Sequence, residues 1–158
     1  MIKISEIKET DKEWIADLLT NQWGSTYIVS RGKMRDASAL KGFIATDNSK
    51  PSGLITYNIE GDECEIVTLN SFLEKKGIGS RLIKSVKKIV KNHKCKRIWL
   101  IETNDNTKAL HFYQRRGFHL VTVYPNALEQ SRKLKPEIPL VGIDNIPLRD
   151  EIELEILL

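Results

Sequence analysis

Polar and apolar positions alternate at the start of the chain, where IKISEI over residues 2–7 has the period of a strand with one buried face. The spacing then lengthens. Trp14, Ile15, Leu18 and Leu19 recur at helical intervals, Thr10 and Glu13 stand ahead of them as a capping box, and Gly24 is a natural stop. Over 25–40 the pattern is weaker: YIV at 27–29 reads as a short strand and Arg31-Gly32-Lys33 as a turn. GFIAT from Gly42, GLITYNIE from Gly53 and CEIVTLN from Cys64 are short strand-like runs, separated by the turn formers DNSKPS and by Gly61-Asp62. Their closeness predicts an antiparallel meander.

Leu82, Ile83, Val86, Ile89 and Val90 form an apolar stripe that predicts a helix over about 80–92. Lys91 and His93 sit at the negative end of its dipole. RIWLIET at 97–103 predicts a buried strand, and NTKALHFYQRRGF a short helix with Asn106 as N-cap and Gly117 as a left-handed terminus. HLVTVY follows as another strand. Residues 125–150 hold four of the five prolines and one or two helical turns around 127–134. The closing EIELEILL alternates Ile152, Leu154, Ile156 and Leu158 with Glu151, Glu153 and Glu155, a half-buried strand paired with the one before it. The order is strand, helix, variable segment, three strands, helix, strand, helix, strand, insert, strand. The strand–helix–strand unit at its centre calls for a right-handed crossover between parallel neighbours, hence a mixed sheet with helices packed on it.

Composition narrows the class. With 158 residues, 41% of them hydrophobic and 29% charged, the chain suits one domain with a full core. No apolar run reaches the length of a membrane span. The charged N-terminus is not a secretory signal, and the two cysteines, Cys64 and Cys95, have no metal-ligand spacing; both point to a reducing cytoplasm. The net charge of +4 suits an anionic ligand. The basic run over 75–97 reads first as a solvated helix face. As a nucleic-acid surface it lacks interleaved aromatics and any recognition motif, so no nucleic-acid partner is expected.

FLEKKGIGSRL, residues 72–82, is the first candidate for chemistry. It is not the dinucleotide fingerprint, whose third glycine position is Leu82 here, nor a Walker loop. What remains is a strand–loop–helix junction at which Gly77 and Gly79 clear room for an anion against first-turn amides that lack intrahelical partners. Alone, the two glycines serve equally well as a turn with no ligand.

A second motif breaks the tie. N-x-x-A-x-x-F-Y-x-x-x-G-F is matched by Asn106, Ala109, Phe112, Tyr113, Gly117 and Phe118. With the glycine loop one helix and one strand upstream, the sequence resembles the GNAT superfamily of acetyl-CoA-dependent N-acetyltransferases, specifically over 42–124 and more weakly in the first 40 residues. EIV at 65–67 suits that family's central fourth strand. One departure stands out: the family's Gln/Arg position of the loop is Glu74 here, with Lys75 and Lys76 beside it to offset the charge.

The resemblance implies an α/β (α+β) fold: a mixed, mostly antiparallel twisted sheet with a central parallel pair and helices on both faces. A single domain over 1–158 would carry a variable acceptor-side segment at 24–41 and an insert at 125–150. It implies acetyl-CoA as cosubstrate and no metal. The cosubstrate would be held by Lys75, Lys76, Gly77, Ile78, Gly79 and Ser80 at the pyrophosphate, by Val67 and Leu69 main chain along pantetheine, and by Asn106 and Phe112. The Val67 amide would also bond the thioester oxygen as an oxyanion hole does.

Tyr113 is the candidate acid, a phenol able to protonate a leaving thiolate; its alternative is a core aromatic. Glu63 and Glu65, on one strand face by period-two spacing, are candidate bases for the incoming ammonium, or else solvated carboxylates. His111 and His119 read as surface or packing residues. No Ser/His/Asp or Cys/His spacing supports a covalent acetyl-enzyme, so direct transfer in a ternary complex is expected. Trp23, Tyr27, Arg31 and Arg35 would rim the site of an unidentified amine acceptor. The 125–150 insert serves equally as acceptor wall or homodimer surface, and a non-catalytic acyl-CoA-binding module of the same fold is the alternative function.

Overall fold

In the computed structural model, which describes residues 1–72 and 76–158, the strands are β1 (Ile2–Glu6), β2 (Tyr27–Ser30), β3 (Lys33–Asp36), β4 (Lys41–Asp47), β5 (Lys50–Glu60), β6 (Glu63–Ser71), β7 (Arg97–Thr103), β8 (His119–Tyr124) and β9 (Glu151–Leu157). The helices are α1 (Lys12–Trp23), α2 (Ile78–Asn92), α3 (Thr107–Arg115) and α4 (Ala127–Leu134). Seven strands form one sheet in the order β1-β4-β5-β6-β7-β9-β8, with every neighbour antiparallel except the central pair β6/β7. This is the mixed sheet the element order calls for. No helix among the described residues is long and apolar enough to cross a membrane.

Two apolar clusters place helices on both faces. On one face Ile78, Leu82, Ile83, Val86 and Val90 of α2 meet Ile55, Ile66 and Ile98, and α3 adds Tyr113. Each fully buried aliphatic side chain contributes about 1.5–3 kcal/mol there. The lysines of α2 point outward, so its basic run is a solvated face. On the other face Ile15 and Leu19 of α1 cover Ile44 and Leu54. β2 and β3 form a separate hairpin whose turn residues Arg31 and Gly32 both have positive φ (50° and 72°), the requirement of a two-residue turn matched to strand twist.

Three sequence expectations need correction. Thr10 and Glu13 do not cap α1: a short 3-10 turn over Glu9–Asp11 intervenes, and Asp11 accepts the Lys8 backbone N–H at 2.8 Å. The DNSKPS loop shrinks to Asn48 and Ser49, both at positive φ, so Lys50, Pro51 and Ser52 belong to β5; Pro51 is tolerated at a register shift opposite Thr46. In β9 the glutamates face inward as well as the aliphatics: Glu151 is 2% and Glu153 3% exposed.

The β2–β3 hairpin explains the last of these. It lies over the face carrying Glu65, Glu151 and Glu153 and gives each a hydrogen-bond or ion-pair partner. Ser30 Oγ donates to Glu65 at 3.0 Å, the Arg31 amide donates to Glu151 at 3.3 Å, and the Arg31 guanidinium pairs with Glu153 at 3.3 Å. Arg97 Nη1 reaches Glu153 at 2.8 Å and Glu155 at 2.9 Å, and Tyr124 Oη donates to Glu153 at 2.8 Å. Arg31 also stacks over Trp99 and Tyr124. The insert closes the arrangement, with Lys135 after α4 donating to the Tyr27 carbonyl at 2.7 Å.

Breaking such a network leaves charges buried without partners. Glu153→Ala is expected to cost about 2–4 kcal/mol in urea unfolding, the lower end set by solvent reaching Arg31. A loss below about 1 kcal/mol would show that Glu63 and Glu155 already compensate Arg97.

Candidate functional site

β6 and β7 pair only at their beginnings, Glu63 with Arg97, Cys64 with Ile98 and Glu65 with Trp99. The cause lies on the other side of β6. Tyr57 pairs with Ile66 and Thr56 with Thr68, so Val67 is one residue too many, a β-bulge. Beyond it β6 bends away from β7 and the two strands enclose a cavity of about 130 Å³. Its walls include Ile66, Val67 and Leu69 from β6, Leu100 and Glu102 from β7, and Tyr113 from α3, with Trp23 and Asn106 also at its lining. Val67 and Leu69 thus line a strand edge that has no partner on β7.

Asn106 both caps α3, its Oδ1 accepting the Ala109 amide at 3.2 Å, and faces the cavity. Tyr113 is 7% exposed and packs edge-on against Phe112 and Phe118, at 5.2 and 5.4 Å between centroids. It is therefore a core aromatic and a wall of the cavity together. Burial, with the nearby Glu102 adding to it, holds its phenol above the ordinary tyrosine range.

Glu102 itself was not singled out from the sequence. Burial first, then the charge of Asp105, pushes its carboxyl up to about 8, against a hydrogen bond with Asn106. The signal was present: in RIWLIET, Leu100 and Glu102 share a face by alternation, so a glutamate continues a buried row.

The glycine loop delivers α2. Gly77 is the N-cap in the left-handed region, φ 70°, where no Cβ is tolerated without strain. Gly79 has a different reason: a Cβ there would come within 2.7 Å of the Phe112 ring, so it admits the ring of α3 against α2. Ile78 is fully buried and can offer a ligand only its backbone. The amides of Ile78, Gly79 and Ser80 open the helix and lack carbonyl partners within it. Ser80 Oγ accepts from Arg116 Nε at 2.7 Å. Lys76 is drawn aside by Asp47 at 3.2 Å. Glu74 and Lys75, both named from the sequence, lie outside the described residues.

The two candidate bases part company. Glu65 is 4% exposed at the last paired position before the bulge, and burial raises its carboxyl against the opposing Ser30 and Arg35 contacts. Glu63 is half-exposed and ion-paired with Arg97, and neither glutamate is part of the cavity lining. Of the supposed acceptor rim, Trp23 lines the cavity, while Arg31 and Arg35 are tied to Glu153, Glu60 and Glu65 and Tyr27 stands exposed. His111 and His119 are exposed.

Comparison with known proteins agrees with this geometry. The family model described as Acetyltransferase (GNAT) family matches residues 8–118. The uncharacterized protein YdhI of Bacillus subtilis (strain 168) is 42% identical over 96% of both chains. The IAA acetyltransferase from Bacillus cereus ATCC 14579 shares the fold at a TM-score of 0.72, 17% identity and full coverage of both chains. A GNAT family acetyltransferase from Elizabethkingia anophelis, solved with acetyl-CoA bound, superposes at 0.70 with 20% identity, covering 99% of this chain and 98% of that one.

Glu102 leaves a signature in stability. Between about pH 4.5 and 8 the unfolded chain ionises this carboxyl while the folded chain keeps its proton, so the fold loses stability as pH rises across that window. Glu102→Gln removes the titration. Its stability relative to the parent should rise by about 1–3 kcal/mol from pH 4.5 to 8 in denaturant unfolding, and parallel pH profiles would place the ordinary carboxyl pKa at Glu102.

Proposed function

The chain belongs to the GNAT acetyltransferase family, and we propose that it is an N-acetyltransferase moving the acetyl group of acetyl-CoA to a primary amine by direct attack. The observation that carries this reading is the splayed β6/β7 pair, whose bulged edge at Val67 faces Tyr113 across the cavity. Acetyl-CoA supplies the acetyl group as an activated thioester.

The residues present fit such a molecule. An extended pantetheine arm needs a strand edge with free main-chain groups, and residues 67–69 supply one. Its pyrophosphate needs amides and positive potential, which the first turn of α2 supplies. The Val67 amide, outside the regular ladder, polarises the thioester carbonyl. Asn106 holds the arm from the α3 side.

Proton movements fall to Tyr113 and Glu65. Burial holds the Tyr113 phenol protonated. Tyr113, a protonated phenol on the cavity wall, is the candidate donor to the leaving sulfur anion by its position. Glu65, a buried carboxylate with a raised pKa beside the bulge, accepts the proton of the incoming ammonium directly or through water. Glu63, occupied by Arg97, is the weaker candidate. The acceptor approaches on the side where Trp23, the hairpin and the insert meet.

Thermal stabilisation by acetyl-CoA tests the reading first: at a hundredfold excess over Kd the ligand should add about 2.7 kcal/mol. A panel of amines assayed by thiol release follows. Tyr113→Phe should lower kcat by about a hundredfold or more with acetyl-CoA affinity retained. No stabilisation would sink the proposal; stabilisation without turnover on any amine would favour a non-catalytic acyl-CoA-binding module.

A further inference from the structure

Resting on the acetyl-CoA reading above, we propose that Arg116 is the charged side chain of the pyrophosphate site, supplied from the end of α3 rather than from the glycine loop. Arg116 is the C-cap of α3, next to Gly117. Its side chain doubles back along the helix. Nη1 donates to the Phe112 carbonyl at 3.0 Å, and the guanidinium lies 3.6 Å from the centre of the Phe112 ring. Nε donates to Ser80 Oγ at 2.7 Å, in the first turn of α2. Phe112 in turn rests on Gly79. Two hydrogen bonds and one stacked face therefore fix the fork beside the amides of Gly79 and Ser80.

The charge of this fork is left open. Arg31, Arg35, Arg97 and Arg149 each pair with a carboxylate; among the described residues Arg116 has no carboxylate partner, as Arg81, Arg115 and Arg132 have none, and its Nη2 bonds to no described residue. It borders an open groove of about 550 Å³ shared with Phe112 and Arg115, so an anion can reach it. A planar guanidinium held immobile on an aromatic face, with an unused N–H, suits a phosphate oxygen.

Ser80 adds a directional argument. Because its Oγ accepts from Arg116, its own hydrogen remains free to donate, and its place at the third residue of the helix lies among the unpaired amides. Amides, hydroxyl and guanidinium then form one donor surface.

Calorimetric titration of the parent, Arg116→Gln and Arg116→Lys with acetyl-CoA and with dephospho-CoA, at low and high salt, tests the assignment. Arg116→Gln should weaken both ligands by the same factor, about ten- to a hundredfold, and flatten the salt dependence of binding. Arg116→Lys, which keeps a charge without the fork, should fall between the two. Equal affinities in the parent and Arg116→Gln would overturn the assignment. A penalty present with acetyl-CoA but lost with dephospho-CoA would overturn it too, by moving the contact to the 3′-phosphate. Should Arg116→Gln fail to fold, Arg116→Lys at parental affinity and parental salt dependence is the overturning result. A parent that binds neither ligand would overturn the acetyl-CoA reading itself.

Discussion

One extra residue in β6 governs both halves of the site, because a side-chain period of two cannot absorb it. Before Val67, Cys64 and Ile66 face the α2 core and Glu65 faces the hairpin; after it, Leu69 packs with the α2 core instead. The same insertion ends pairing with β7 after Glu65. The cavity, the free strand edge beside it and the buried position of Glu65 at the mouth of the splay are therefore consequences of a single register change. A bulge of this kind withdraws ladder hydrogen bonds at the centre of the sheet, where loss is costly. The structure tolerates it because β5 stays paired on both flanks of the shift and because α2 and α3 pack over the opened strands.

The two faces of the sheet differ in the partners they give to buried charge, although burial raises carboxyls on both. Under the hairpin, carboxylates are buried with cations: Glu153 meets Arg97, Arg31 and Tyr124, and Glu65 meets Ser30 and Arg35. On the α3 face, ionisable groups are buried without cations, and Glu102, Tyr113 and Cys64 are all displaced toward their neutral forms. Burial without a counter-charge is the stronger perturbation. Tyr113 thus stands on one side of the splay and the buried Glu65 on the other, with the bulge between them.

Much of this was legible from residue patterns, and the failures share a cause. The stripe in α2, the Asn106 cap and the left-handed Gly117 at φ 94° are local properties, so spacing alone revealed them. EIELEILL misled because alternation reports two faces and not which is wet. Glu151 and Glu153 are buried by a hairpin some 120 residues earlier in the chain, a contact no local pattern encodes. Glu63 and Glu65 were equivalent in sequence and each meets an arginine in the fold, but the hairpin buries Glu65 and leaves Glu63 half-exposed. Glu102 was missed for the converse reason: a carboxylate at a strand end looks solvated until α3 covers it.

The glycine loop shows how the two motifs depend on each other. Gly77 is required by its own backbone, whereas Gly79 is required by a ring thirty-three residues later, since Phe112 would collide with any side chain there. α3 therefore does more than wall the cavity. Asn106 at its start and Tyr113 near its end face the splay, while Phe112 and Arg116 grip the first turn of α2. One short helix thus ties the first turn of α2 to the cavity. The amides of that first turn can therefore keep their position whatever residue stands at 74, because Phe112 and Arg116 hold it from α3.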